Sequence, residues 1–109
     1  MTKILCISDT HSLHNKIPKN WLVDADIIIH SGDISNRGYL QETKQFLEWF
    51  SKLDQYTHKI FIAGNHDWCF QTNSIESKEL LEKYSNITYL QDSEVIIERI
   101  SPKGEIRIL

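Results

Sequence analysis

Residues 60–67 read IFIAGNHD, an apolar run that ends in a cluster of polar, chemically active side chains. A short apolar run bounded by glycine is typical of a buried strand, and Gly64 permits a sharp turn at its end. Asn65 offers a neutral carbonyl oxygen, His66 offers a proton donor or metal ligand, and Asp67 offers a carboxylate that can fix the imidazole tautomer. The stretch therefore predicts a strand whose end carries a chemical site.

Two earlier apolar runs end in the same way. Residues 4–7 are followed by Asp9 and His11, and residues 27–29 are followed by Asp33. In an open α/β sheet, ligands bind just beyond the carboxyl ends of the strands, so parallel strands would bring all three groups to one edge. Mixed oxygen and nitrogen donors suit divalent ions of the Mn, Fe or Zn type.

The remaining patterns complete an α/β architecture. Helical spacing covers residues 39–54, and a second helix is predicted to begin at Ser74. Residues 86–90 predict a short strand, and the alternating segments 94–100 and 105–109 predict a hairpin around residues 102–104. Alternation of apolar strands and helices favours a parallel sheet covered on both faces. The hairpin belongs either to a mixed sheet or to a second sheet packed on the first.

Composition sets limits on the class of protein. The chain has 109 residues, 40% hydrophobic and 25% charged, which fits one domain over 1–109. The net charge of −3 and the lack of any run of like charge argue against nucleic acid as a partner. No apolar stretch is long enough for a signal peptide or a membrane span, so a membrane partner is not expected. Two cysteines make no disulfide framework, which favours a cytoplasmic protein.

Several side chains have a simple structural interpretation. Cys6 lies in an apolar run and is predicted to be a small core residue. His30, at the end of the second strand, is expected to be a buried histidine that supports the site rather than a ligand. His14 and His58 are expected at the surface.

The three polar motifs, taken in order, resemble a known family. The series Asp9-x-His11, Gly32-Asp33 and 64–67 looks like the first three motifs of the calcineurin-like metallophosphoesterase superfamily. The local settings ISDTH, HSGDISNRG and FIAGNHDW are similar to the branch related to class III cyclic-nucleotide phosphodiesterases. The resemblance implies a truncated α/β/β/α layered fold, with a mostly parallel first sheet and a C-terminal hairpin, and covers the N-terminal portion of the family domain.

The resemblance also implies a set of metal ligands. Asp9 and His11 would bind one ion, Asp33 would bridge two ions, and Asn65 would bind the second. The two divalent ions of the complete domain would clamp a phosphate and activate the attacking water. The implied reaction is hydrolysis of a small phosphoester, either a monoester or a diester, with nucleotides favoured by analogy.

Other residues of the motifs would act on the substrate. By the same resemblance, His66 would lie beside the phosphate as proton donor or charge stabiliser, oriented by Asp67. Arg37 follows Asp33 in the same loop, and its planar guanidinium could reach a phosphate. Trp68 follows the histidine motif and could line the substrate entrance.

The sequence also departs from the family pattern. The family carries later Gly-His and Gly-His-x-His motifs that complete both metal spheres, whereas this chain has no histidine after His66. The second metal site is therefore expected to be weak, and hydrolysis by this chain alone is expected to be impaired. The alternative is a non-catalytic, shortened relative that binds a metal or a partner. An open sheet edge would then pair with a second copy or with a completing chain.

A generic nucleotide-binding α/β domain is a poorer interpretation. It would require a glycine-rich phosphate loop after the first strand, and residues 8–11 read SDTH instead.

Overall fold

The structure, a computed structural model, describes residues 2–91, 93–99 and 104–108. The strands are β1 (Ile4–Ile7), β2 (Ile27–His30), β3 (His58–Phe61), β4 (Ile87–Tyr89), β5 (Val95–Arg99) and β6 (Gly104–Ile108). The helices are α1 (Leu40–Ser51), α2 (Cys69–Thr72) and α3 (Ser74–Glu82), and two 3₁₀ turns lie at His14–Lys16 and Lys19–Trp21. None of these helices combines the length and apolarity that a membrane crossing requires.

The first four strands form one parallel sheet in the order β1-β2-β3-β4. In register, Ile7 pairs with His30, and His30 pairs with Phe61. The predicted α/β class and the parallel first sheet are therefore confirmed. Because the strands run in one direction, the ends of β1, β2 and β3 meet at one edge, which we call the carboxyl rim.

One face of this sheet is covered by α1 and α3. Phe46, Leu47 and Phe50 of α1 are fully buried against Phe61 of β3. The rings of Phe46 and Phe50 stack with centroids 4.9 Å apart. Each such side chain contributes roughly 1.5–3 kcal/mol by leaving water. The aromatic cluster therefore anchors the helix layer directly behind the carboxyl rim.

The opposite face carries the hairpin of β5 and β6. These strands pair with each other antiparallel and form a separate two-stranded sheet. Ile97 of the hairpin packs with Ile27, Ile60 and Leu90 of the first sheet. The hairpin is thus a second sheet packed on the first rather than part of a mixed sheet. Of the turn predicted at residues 102–104, residues 102–103 lie outside the described residues, and Gly104 is the first residue of β6.

Two predictions of burial are wrong. Cys6 is exposed and its neighbour Ile4 is 46% exposed, because β1 is an edge strand and the described hairpin covers the inner strands. His14, expected at the surface, is buried, with its ring against Phe46 and Trp49. The burial of a side chain in a short 3₁₀ turn depends on which distant segment packs over it. Local sequence does not reveal that segment.

Candidate metal centre

The loops after β1 and β2 run side by side beyond the sheet. Backbone N–H groups of Asp9, His11 and Ser12 donate to the carbonyls of Gly32, Asp33 and Ile34 at 3.0, 3.0 and 2.9 Å. These bonds continue the parallel pairing of the two strands past their ends. The two loops therefore form one continuous surface at the carboxyl rim.

Both loops hold residues in the left-handed region of backbone conformation. The φ angles of Asp9, His11, Ser12 and Asp33 are 54°, 43°, 65° and 57°. This region is unfavourable for residues with a Cβ, at roughly 1–2 kcal/mol each. Such conformations persist where the surrounding structure enforces them, and they cluster at functional sites. Three of these four strained positions are predicted metal ligands.

Two glycines let the loops after β2 and β3 approach closely. A Cβ on Gly32 would lie 2.9 Å from the Cα of Gly64. A Cβ on Gly64 would overlap the backbone and carboxylate of Asp33. Glycine is needed at both positions because any side chain would push Asp33 away from the loop that carries His66.

The close approach gathers a set of metal-ligand atoms. One ligand atom each from His11, Asp33 and His66 lies within 4.8 Å of the others. The Asp9 carboxylate is 3.7 Å from Nε2 of His11. The pKa of Asp9 is lowered, chiefly by the neighbouring Ser8 hydroxyl, so Asp9 carries negative charge near neutral pH.

The fourth predicted ligand directly precedes His66 in the chain. Asn65 is exposed in the loop after β3, between Gly64 and His66. The structure thus brings His11, Asp33 and His66 together, with Asp9 adjacent. The structure places His66 in the ligand cluster, whereas the sequence interpretation gave His66 a role on the substrate.

The hydrogen bonds of the two histidines suit metal binding. Nδ1 of His11 is 3.2 Å from the carbonyl oxygen of Ser35, and Nδ1 of His66 is 2.9 Å from that of Asn36. A carbonyl oxygen can only accept, so each Nδ1 must carry a proton, and in the neutral ring each Nε2 keeps a lone pair. Metal-ligating histidines are oriented in this way by partners on the other ring nitrogen. The residues present therefore fit a divalent transition metal.

The sequence interpretation expected Asp67 to orient the His66 ring. In the structure, Asp67 makes other contacts. Its buried carboxylate accepts from the N–H groups of Ile34, Ser35 and Gly64 at 3.1, 2.9 and 2.9 Å, and from the Ser35 hydroxyl at 2.6 Å. These four donors occupy both oxygens, and the Asn36 carbonyl bonds the His66 ring instead. Asp67 holds the loops after β2 and β3 against each other.

His30 supports the first loop from inside the sheet. It is fully buried, and its Nδ1 accepts from the Gly32 N–H at 3.1 Å. Its Nε2 is therefore the protonated nitrogen and donates to the Thr10 hydroxyl at 2.9 Å. Thr10 stands between Asp9 and His11. His30 thus fixes the position of the first metal-ligand pair, in agreement with the expected supporting role.

The buried state of His30 makes stability depend on pH. Burial lowers the pKa of His30 from 6.5 to about 4, against the opposing effect of the Asp67 and Asp9 carboxylates. In the unfolded chain the His30 ring is protonated below pH 6.5. In the folded chain it is protonated only below about pH 4. We expect the free energy of unfolding to fall by roughly 3 kcal/mol between these values.

Denaturant unfolding at a series of pH values checks this expectation. His30→Gln should flatten the slope between pH 6.5 and 4. A wild-type unfolding free energy that stays constant over this interval would contradict the prediction.

The two predicted substrate residues lie at the edge of the site. Arg37 is exposed, and its backbone N–H donates to the Glu42 carboxylate at 3.0 Å. Trp68 is 55% exposed, and its backbone lies so close to Gly38 that a Cβ there would overlap it. Both side chains are exposed, and their roles on a substrate stay predictions.

Sequence reasoning missed three contributors to the site. The carbonyls of Ser35 and Asn36 are backbone groups, which carry no signal in the sequence. Glu42, in the first turn of α1, accepts hydrogen bonds from the loop that contains Asn36. An acidic residue in the first turn of a helix is a general signal of a helix cap, but this signal does not indicate a contact with the site.

Comparison with known proteins agrees with the geometry of the rim. The family model for calcineurin-like phosphoesterases matches residues 2–103. Human metallophosphoesterase domain-containing protein 1 is 35% identical over 116 residues, covering 88% of this chain and 34% of that protein. A UPF0046 protein of Caenorhabditis elegans is 32% identical over 112 residues, covering 91% of this chain and 37% of its own length.

This chain spans about a third of the length of these curated relatives. The match nevertheless includes all three polar motifs, which lie between Asp9 and Asp67. Together with the shared fold, it shows that the chain belongs to the calcineurin-like phosphoesterase family.

Proposed function

We propose that this chain supplies the metal-binding part of a phosphoesterase site that hydrolyses small phosphomonoesters or phosphodiesters. The observation that carries the proposal is the cluster of His11, Asp33 and His66 at the carboxyl rim, with both Nε2 lone pairs available. Membership of the calcineurin-like phosphoesterase family supports the reaction class. Nucleotides are the substrate class that we favour by analogy.

Within this proposal, Asp9, His11 and Asp33 hold a first divalent ion of the Mn, Fe or Zn type. Asp33 and Asn65 contribute to a second ion, for which the chain offers fewer donors. When bound, such ions stabilise the charge that develops on the phosphate and supply the attacking water.

The protein groups bind and orient the phosphoester and move a proton. His66 lies on the exposed side of the cluster, and its ring is oriented by the Asn36 carbonyl. When it is not bound to an ion, Nε2 of His66 is the atom that would take up a proton and donate it to the leaving oxygen. Arg37 is within the loop beside it and offers a guanidinium to a phosphate oxygen.

A second candidate is a non-catalytic module that binds one metal and pairs with another chain. The exposed apolar side chains of the edge strand β1 favour it, since Ile4 is 46% exposed and Cys6 is also exposed. The other chain would be a second copy or a completing chain. Two free thiols fit the reducing conditions of the cytoplasm for either candidate.

Metal titration and hydrolysis assays on the purified chain test the proposal. We expect one equivalent of Mn²⁺ or Zn²⁺ to bind tightly, a second to bind weakly, and p-nitrophenyl phosphate or its diester to be hydrolysed slowly in a metal-dependent way. His66→Gln should abolish that hydrolysis. Failure to bind either metal would remove the proposal. Tight metal binding without hydrolysis would favour the non-catalytic candidate.

A further inference from the structure

The Glu42 carboxylate lies between the loops that carry the metal cluster. Glu42 is the third residue of α1, and its side chain is partly buried. One carboxylate oxygen accepts from the Ser12 hydroxyl at 2.5 Å and from the Asn36 N–H at 2.7 Å. The other accepts from the Arg37 N–H at 3.0 Å and the Tyr39 N–H at 3.2 Å.

Only one of these four bonds is an ordinary helix cap. The bond from Tyr39, the residue before the helix, is the back-bond of a capping box. The bonds from Asn36 and Arg37 bend the loop after β2 around the carboxylate, and the bond from Ser12 reaches the loop after β1. A single charged group therefore ties two of the three metal-ligand loops, those after β1 and β2, to the start of α1.

The bond to Asn36 leads directly to His66. The N–H of Asn36 donates to Glu42, while the carbonyl of the same residue accepts from Nδ1 of His66 at 2.9 Å. Gly38 packs against the backbone of His66 and Trp68 so tightly that a Cβ would overlap them, which keeps the two loops in contact. Moving the Asn36 carbonyl would leave Nδ1 of His66 without its acceptor.

We propose that Glu42 is a positioning residue that selects the Nδ1–H tautomer of His66 through Asn36. The tautomer leaves the Nε2 lone pair directed at the ligand cluster. The consequence for catalysis rests on the proposed function, whereas the tautomer itself does not. Glu42 also holds the loop that carries His11, through the hydrogen bond that it accepts from Ser12.

Charge as well as shape is required at this position. Burial raises the pKa of Glu42, but the hydrogen bonds from Ser12, Asn36, Tyr39 and Arg37 together outweigh it. The pKa is lowered overall, so Glu42 is ionised near neutral pH. An ionised carboxylate can accept all four bonds. A glutamine amide presents its NH₂ group to two of the four donors, and cannot replace the carboxylate.

Nitrogen-15 NMR of the histidine rings in the metal-free chain tests the proposal. We expect His66 to be Nδ1–H in the wild type and to become a mixture of tautomers in Glu42→Gln. Zinc affinity, measured by calorimetry, should fall on the order of tenfold in the same variant. Glu48→Gln, an exposed glutamate of the same helix, is the matched control and should change neither quantity.

A second variant separates the effect of the Asn36 hydrogen bond from that of the Ser12 hydrogen bond. Ser12→Ala removes one bond and leaves the Asn36 bond in place, so the His66 tautomer should be retained. An Nε2–H tautomer in the wild type would overturn the proposal, whichever variants fold. Retention of the pure Nδ1–H tautomer and of full zinc affinity in Glu42→Gln would also overturn it. Absence of hydrolysis by a wild-type chain with the expected tautomer would count against the proposed function alone.

Discussion

Replacement of Asp33 by asparagine is expected to lower the affinity for Mn²⁺ or Zn²⁺ by more than about 100-fold, because loss of an outer-shell partner alone typically costs 10–100-fold. Asp33 is central to the cluster. Its carboxylate belongs to the ligand group and also accepts from the His66 N–H at 2.9 Å. The substitution removes the negative charge of this carboxylate.

Asparagine is a clean probe at this position. Asp33 has a φ of 57°, a conformation that asparagine adopts as readily as aspartate. The loop should therefore keep its shape while the ligand loses its charge. Calorimetric titration of the metal-free chain measures the change, and Asp54→Asn at an exposed position serves as the control. Unchanged affinity in Asp33→Asn would show that the cluster is not the metal site.

Replacement of Asp67 by asparagine is expected to destabilise the fold by about 2–6 kcal/mol. The asparagine amide would face two of the four hydrogen-bond donors that the buried carboxylate now accepts. Each buried donor left without an acceptor costs about 1–3 kcal/mol. For a domain of this size, a loss in this range lowers the melting temperature by roughly 10 °C or more.

Thermal unfolding followed by circular dichroism checks this expectation. Asp24→Asn, the same change at an exposed aspartate, should leave the melting temperature nearly unchanged. If Asp67 acted only on the His66 ring, the fold would keep its stability and only activity would suffer. If Asp67→Asn kept the wild-type melting temperature, this result would contradict the structural role and favour the earlier interpretation, in which Asp67 orients the His66 ring.

Much of the architecture was readable from local patterns. The apolar runs before Asp9, Asp33 and Asn65 are β-strands, and the helical spacing in 39–54 corresponds to α1 at Leu40–Ser51. The short helix Cys69–Thr72 was missed because four residues are too few to display a helical period. The third strand begins at His58, two residues before the apolar run, since backbone pairing with β2 extends beyond the apolar side chains.

Burial was less readable than secondary structure. Cys6 belongs to an apolar strand, yet it is exposed because the hairpin covers the other strands of that face. His14 is buried because Phe46 and Trp49, more than thirty residues later, pack against it. In both cases the outcome depends on which distant segment covers the residue.

The amino-acid sequence alone determined the family, the parallel sheet and the positions of Asp9, His11, Asp33 and His66 at strand ends. These follow from short-range signals, namely apolar runs that stop at glycine and polar ligands. Only the tertiary structure decided which donors surround Asp67 and which carbonyls orient the histidines. It alone revealed that Glu42 joins the loops, because backbone donors and acceptors occur along the whole chain and gain their roles through folding.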